Sequence, residues 1–309
     1  MPEISLRKDL NYSSPFYHYL ANFDENKLYY KVHVPPLFHP ADILQNQVKD
    51  IYDAIVSLQQ KLNTDDFPIT ETKNLFQAAD KLADVCFEII RAFINPNNAN
   101  NNENDHYKWL ANNKSRLGKD FLSSISSHRD FIADINNKTK HNTTKILKVN
   151  LTNEDLGITT KGFFVGTIIK DERIGPDPKI HKHWNNQRTG FSYNYIIRRI
   201  VGQTFLYEYN LKKILEKNFG IVTDYHNMQD DLHKKLFDIG INISNAFFPN
   251  EYCMPTGIFK QCERALIIEF PKTVEKRIQY TNVITDMDVN SRTHKCDGYI
   301  PYFGNKIDY

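Results

Sequence analysis

The feature that most constrains the fold is a change in the spacing of apolar residues near residue 145. Before that point, apolar side chains recur every three or four positions, which is the spacing of one face of an amphipathic α-helix. After it, residues 145–151 alternate apolar and polar side chains, and residues 161–171 are rich in β-branched and aromatic side chains, as strands are. The sequence therefore predicts an α+β fold with an all-α first part.

Four amphipathic helices are expected in the first part. The first begins after Pro40 and the second after Pro68, and Pro96 lies just beyond the end of the second apolar stripe. A third helix is predicted from residue 106 to about residue 124, and a fourth follows the serine-rich stretch 123–128 and ends near His141. The short connections between most of these helices favour a bundle.

Three regions follow from this pattern: an N-terminal arm (1–40), a helical bundle (41–145) and an α+β domain (146–309). Within the arm, residues 27–34 are predicted to form a short strand. The two prolines that follow would end it, because proline cannot donate to strand pairing. In the third region the pattern predicts two helices and two further strands, at residues 193–219 and 230–247 and at residues 264–270 and 276–285.

Charge and cysteine content limit the classes of function. The 309 residues include 39 basic and 37 acidic side chains, so a nucleic-acid or membrane surface would have to be a local patch. The four cysteines are irregularly spaced, as reduced thiols are in cytosolic proteins. The N-terminus has no apolar signal segment, and no apolar run is long enough to span a bilayer. A soluble cytoplasmic protein with no membrane partner is expected.

The end of the fourth predicted helix carries the first candidate site. Its residues run Asn136, Asn137, Lys138, Thr139, Lys140, His141. This order resembles the motif of the HEPN superfamily, in which an Arg, commonly followed by a polar residue, precedes a His by four to six positions. Asn137 and His141 match the polar residue and the His, whereas Asn136 stands in place of the Arg. The resemblance covers about residues 42–145.

HEPN proteins are small helical bundles. The resemblance implies that this protein is an RNase, a toxin or a partner of one in a defence or toxin–antitoxin system. It also implies metal-independent cleavage, in which a ribose 2′-hydroxyl attacks the adjacent phosphate. In that hypothesis His141 is the general acid or base, and Asn137 and Lys138 assist it. Without the Arg, a lysine supplies charge but lacks the planar fork of donors that holds a phosphate. The family's composite sites also imply a homodimer.

Three further interpretations of the same residues stay open. A bundle without catalysis can bind RNA or a nucleotide through Asn136, Lys140 and the nearby Lys145. The lysines and the histidine can instead have no role beyond stabilising the helix, by interacting with the negative end of its dipole. The chain can also be a protein-interaction module, in which case an exposed apolar patch is expected on the bundle. The sequence does not decide whether the protein is an enzyme.

A second candidate lies in the stretch Lys-Ile-His-Lys-His-Trp that begins at Lys179. On a strand, His181 and His183 would share one face, where such a pair can ligate a metal. The same stretch can contact a phosphate through its lysines and stack a base on its tryptophan. Because no other histidine or cysteine follows at a recognisable zinc spacing, no metal is expected. Lys179, His181 and His183 are therefore binding candidates.

A third candidate is Glu269 with Lys272, at the end of a predicted strand. Restriction-type nucleases place one residue between such a pair, whereas two intervene here, so Glu269 is expected to be an edge residue or a salt-bridge residue. The sequence also lacks the phosphate loop, the dinucleotide fingerprint, the zincin motif and the serine-hydrolase elbow. No cofactor is expected.

Overall fold

The computed structural model of the protein describes residues 2–64, 66–96, 103–113, 115–140, 145–153, 157–168, 174–183, 188–222, 231–254, 256–270, 283–286 and 302. These residues form seven α-helices and two antiparallel sheets. The α+β class is therefore confirmed, and the helical first part agrees with the expected all-α region.

The helices and strands have the following bounds. The helices are α1 (Pro15–Ala21), α2 (Pro40–Leu62), α3 (Ile69–Ala92), α4 (His106–Asn112), α5 (Arg116–Lys140), α6 (Tyr193–Phe219) and α7 (Leu232–Asn242). The strands are β1 (Glu3–Arg7), β2 (Lys145–Asn153), β3 (Ile158–Ile168), β4 (Ile174–Pro176), β5 (Phe191–Ser192), β6 (Ile258–Gln261), β7 (Ala265–Glu269) and β8 (Val283–Asp286).

The helical part confirms α2 and α3 and corrects the next two helices. The predicted helix 106–124 is wrong, because α4 ends at Asn112 and the next helix, α5, continues through the serine-rich stretch to Lys140. The side-chain amide of Asn113 donates to the carbonyl of Trp109 and so closes α4. Within α5, Ser124 bonds the carbonyl of Phe121 one turn back, so the serine does not interrupt the helix.

The larger sheet lies next to the helices that form the cavity described below. Its strands follow the order β4-β3-β2-β8, and β5 pairs with β3 where Phe163 is opposite Phe191. Because β5 runs directly into α6, this pairing fixes where α6 begins. The predictions of strands at 145–151 and 161–171 and of a helix at 193–219 agree with β2, β3 and α6, although residues 169–171 lie outside the described residues.

The smaller sheet, in the order β1-β7-β6, joins the N-terminal arm to the second half of the chain. Ile4 and Leu6 of β1 point into the core, as the alternation of a half-buried strand requires. The strand predicted at 264–270 agrees with β7. Of the strand predicted at 276–285, the structure describes only residues 283–285, within β8.

Two other predictions of secondary structure are wrong. Residues 27–34 form no strand: the amide of Tyr29 donates to the carbonyl of Ala92, and the buried His33 contacts the carbonyl of Arg91, so the segment packs on the end of α3. The helix predicted at 230–247 ends at Asn242, because Arg198 of α6 binds the carbonyl of Ile243 and holds the chain in an extended conformation there.

One hydrophobic cluster includes residues from both sides of the boundary proposed at residue 145. The rings of Phe76 on α3 and Phe163 on β3, for example, meet edge to face at 5.8 Å. The division into three regions stays a prediction. None of the helices in the described ranges combines the length and apolar character needed to cross a membrane.

Candidate functional site

A cavity of about 490 Å³ lies where α5, the start of α6 and the loops around them meet. One face of α5 lines the cavity, together with Arg199 of α6, Thr189, Phe191 and part of the segment 250–254. The loop after β4 contributes Lys179, Ile180, Lys182 and His183. Its volume falls in the range of pockets that hold a small organic ligand. The cavity therefore gives the first geometric basis for a binding site.

The face of α5 toward the cavity carries Ser127, Asp130, Phe131 and Asp134. Each of these residues lies three or four positions from another of the four along a continuous helix, which places them on one side of it. Both aspartates are exposed. This side of the cavity therefore offers hydroxyl and carboxylate oxygens to a ligand.

Arg199 is held rigidly at the cavity wall. Its guanidinium carbon lies 3.6 Å from the centre of the Phe131 ring, and its Nη1 donates to the hydroxyl of Tyr195 at 2.8 Å. Its Nε is shielded from solvent without a hydrogen-bond partner, and no carboxylate in the described ranges forms an ion pair with it. Stacking on an aromatic ring is a common way to fix an arginine that binds an anion.

The loop that follows β4 is anchored at two points. The carboxylate of Asp177 accepts hydrogen bonds from Nζ of Lys138 and from the amide of Lys179, both at 2.9 Å. Four residues after Asp177, Nε2 of His181 accepts from the amide of Val165 on β3 at 2.8 Å. These anchors hold Lys179, Lys182 and His183 at the cavity, and all three are exposed.

Burial explains the protonation state of His181. The ring is 1% exposed and lies 4.6 Å from that of Phe191, and this desolvation lowers its pKa to about 3. The imidazole is therefore neutral, and because Nε2 accepts a hydrogen bond, its proton is on Nδ1. His181 thus positions the loop and is not available to a ligand.

Glu251 fixes the segment that completes the cavity. Its buried carboxylate accepts from the amide of Ser192 at 2.8 Å, from the hydroxyl of Ser192 at 2.6 Å and from the amide of Phe248 at 2.7 Å. Burial outweighs these bonds and raises the pKa of Glu251 to about 8. Because Ser192 also caps α6, the carboxylate ties the helix that carries Arg199 to the segment that carries Asn250 and Cys253.

The residues of the first candidate site point in different directions. Asn136 is buried and its amide donates to Asp80 of α3 at 2.6 Å, so it faces the bundle. Asn137 and Lys140 are exposed on the last turn of α5, and Lys138 is engaged by Asp177. His141 lies outside the described residues. Its role as a general acid or base, and the assisting roles of Asn137 and Lys138, stay predictions.

The other binding candidates divide in the same way. Lys145 is exposed at the start of β2 and does not line the cavity, whereas Lys179 and His183 do line it. The expectation that His181 and His183 share a strand face is wrong, because both follow a turn, and one is buried while the other is exposed. Among the residues that the structure describes, no group of three His, Cys, Asp or Glu side chains could hold a metal ion.

Glu269 forms a salt bridge with Lys260 at 2.6 Å across β6 and β7, as expected, and Lys272 lies outside the described residues. The apolar stripes of α2 and α3 are buried in the core. The most exposed large apolar side chain of the arm is Phe38, at 73%. Protein interaction stays a prediction.

The structure thus places the loop after β4 beside the last turns of α5, two stretches that are separate in the sequence. Asp134 of α5 and Lys179 of the loop line one cavity, and the pair of Lys138 with Asp177 lies next to it. Sequence reasoning missed Arg199, Asp130 and Asp134. A signal for Arg199 exists, since two adjacent arginines interrupt the apolar sequence at the start of α6. By its fold and this site, the protein is an α+β protein with a ligand-sized cavity lined by both cationic and anionic side chains.

Comparisons of the chain with protein-family models, with curated proteins and with solved structures find no match. The HEPN resemblance, the homodimer and the setting in defence or toxin–antitoxin systems accordingly stay predictions.

Proposed function

We propose that the protein binds a nucleotide in the cavity between α5 and α6, either free or as the end residue of an RNA chain. The observation that carries the proposal is Arg199, a cation fixed at the cavity wall that forms no ion pair with a carboxylate in the described ranges. A guanidinium so placed has donors to give to a phosphate.

The charge of the lining supports an anionic ligand. Three side chains are cationic, Lys179, Lys182 and Arg199, and two are anionic, Asp130 and Asp134, so these five side chains have a net charge of +1. Neither lysine forms an ion pair with a side chain that the structure describes. A phosphate group adjacent to the loop and Arg199 would satisfy these cations.

The size and apolar parts of the lining support the rest of a nucleotide. A cavity of about 490 Å³ accommodates one nucleotide, and Phe131, Ile180 and Met254 supply apolar surface for a base. The rest of a longer RNA chain would lie outside the cavity, and this arrangement does not require that part to be fixed. The resemblance to the HEPN superfamily, many members of which act on RNA, agrees with a ligand of this class.

Two adjacent arginines provide a matched test. Arg199 lines the cavity, whereas Arg198 binds the carbonyl of Ile243 and the side chain of Asn245 on another side of α6. The experiment is calorimetric titration of wild type, Arg199→Gln and Arg198→Gln with adenosine 5′-monophosphate and with a short 5′-phosphorylated RNA. Losing a hydrogen bond to a charged group costs about 1.5–3 kcal/mol, so Arg199→Gln should bind about tenfold more weakly or worse.

Arg198→Gln removes the same charge and should keep an affinity close to that of wild type. Thermal unfolding of both variants shows whether they stay folded at the temperature of the titration. The proposal fails if wild type binds neither probe, or if the two variants lose affinity equally. Comparison of the two probes shows whether the cavity prefers a free nucleotide or an RNA end.

A further inference from the structure

The α5 side of the cavity differs chemically from the rest of the lining. It presents Asp130 and Asp134, one helical turn apart, and Ser127 lies one turn before Asp130. A carboxylate at neutral pH only accepts hydrogen bonds. A ligand group next to this side must therefore be a hydrogen-bond donor or a cation.

Both carboxylates are without partners although cations line the same cavity. Neither Asp130 nor Asp134 forms a hydrogen bond or an ion pair with any residue in the described part of the chain. By contrast, Lys138, one turn after Asp134 on α5, is paired with Asp177 at 2.9 Å. The cavity thus keeps acceptors on α5 and donors on the loop and α6, and a ligand with both an anion and donors satisfies both sets.

We propose that Asp130 and Asp134 accept hydrogen bonds from the ribose hydroxyls of the bound nucleotide and make the cavity selective for ribonucleotides over 2′-deoxyribonucleotides. This inference rests on the proposed function. Carboxylates repel the phosphate, which orients that group toward Arg199 and the loop. The donors on a base edge differ from base to base, whereas the vicinal hydroxyls of ribose are common to every free ribonucleoside 5′-monophosphate.

The absence of one hydroxyl has a measurable consequence. A deoxyribonucleotide presents one donor fewer, so one hydrogen bond to a charged acceptor is lost. In wild type, adenosine monophosphate should therefore bind about tenfold more tightly than its 2′-deoxy analogue. Uridine monophosphate and its deoxy analogue should show a similar ratio, because the sugar is the same.

The experiment measures these ratios by calorimetric titration in EDTA for wild type, Asp130→Asn, Asp134→Asn and the control Asp120→Asn. Asp120 is an exposed aspartate of α5 that does not line the cavity. At least one of the two cavity variants should bring the ratio of the two dissociation constants close to one, and the control should keep it. All three aspartates are exposed, so the substitutions should leave thermal unfolding nearly unchanged.

Each alternative outcome has a distinct meaning. Failure of wild type to bind any of the nucleotides defeats the proposed function itself. Equal binding of the ribo and deoxy forms, or a preference that survives in both cavity variants, overturns the inference and leaves nucleotide binding intact. Binding that requires Mg²⁺ in place of EDTA overturns it too, because the carboxylates then hold a cation. A preference with adenosine but not uridine nucleotides indicates recognition of the base and overturns it as well.

Discussion

The ion pair between Lys138 and Asp177 is expected to hold the loop at the cavity, and Lys138→Ala tests this. In wild type, Nζ of Lys138 lies 2.9 Å from Oδ2 of Asp177, whose other oxygen accepts from the amide of Lys179. The substitution leaves the carboxylate of Asp177 in place without its cation. The protein should therefore lose stability, and the loop should lose its fixed position.

The size of the effect follows from how far each partner is buried. The side chain of Asp177 is 3% exposed and that of Lys138 is 37% exposed. Breaking a fully buried pair costs about 3–5 kcal/mol, whereas an exposed pair contributes about 0–1 kcal/mol. Because water can reach the position that Lys138 leaves, the free energy of unfolding should fall by about 1–2 kcal/mol at pH 7.

The same pair predicts a dependence on pH. Burial by itself raises the pKa of Asp177. The hydrogen bonds from Lys138 and the amide of Lys179 lower it by more, so the pKa of Asp177 lies below the usual value of 3.8. A lowered pKa in the folded state stabilises the protein above the unfolded-state pKa, and this contribution is lost as pH falls through the folded-state value. The difference between wild type and Lys138→Ala should therefore shrink in acid.

Urea unfolding followed by circular dichroism, at pH 7 and at several lower values, measures both effects. Lys140→Ala is the matched control, since Lys140 is exposed on the same turn of α5 and should change stability by less than about 0.5 kcal/mol. A double-mutant cycle with Asp177→Asn isolates the interaction. The reasoning is refuted if Lys138→Ala behaves like Lys140→Ala, or if its effect is the same at every pH.

Two further substitutions test the framework around the cavity. A methyl group at Gly162 would lie 2.3 Å from the carbonyl oxygen of Phe191, so Gly162→Ala must displace β5. This substitution should lower the free energy of unfolding by about 1–3 kcal/mol. An unchanged midpoint of urea unfolding would contradict the close approach. The pKa of Glu251 is raised from 4.5 to about 8, so the proton it binds favours the folded state, and its contribution to stability falls as pH rises between these values. Glu251→Gln should therefore flatten the decline of unfolding free energy from pH 5 to pH 8 relative to wild type, and equal slopes for the two proteins would show that Glu251 does not titrate there.

Long periodic patterns were the most reliable guide to the fold. The apolar stripes of α2, α3 and α6 define a buried face over many turns, and the alternation in β2 does the same for a strand, so these elements were located from the sequence. The errors fall where a local signal was weak. The serine-rich stretch inside α5 resembles a helix start, but the packing of Ile125 and Ile132 in the core keeps the helix continuous.

The candidate site was predictable in part. Clusters of basic residues and histidines indicated Lys179 and His183, which line the cavity, and also the end of α5, where residues 136–140 do not line it. The sequence did not show that His181 is buried, since the ring fits against Phe191 only after β3 and β5 have paired. Nor did it show that Lys138 is engaged by an acidic residue far along the chain.

The sequence by itself determined the long helices and strands with a sustained apolar pattern, because periodicity acts over short distances along the chain. Only the tertiary structure decided which side chains share the cavity. Arg199, Asp130 and Lys179 come from three separate segments, and no feature of those segments shows that they meet. Their meeting depends on the packing of α5 against α6 and on the pairing of β3 with β5, and contacts between residues so far apart leave no local pattern to read.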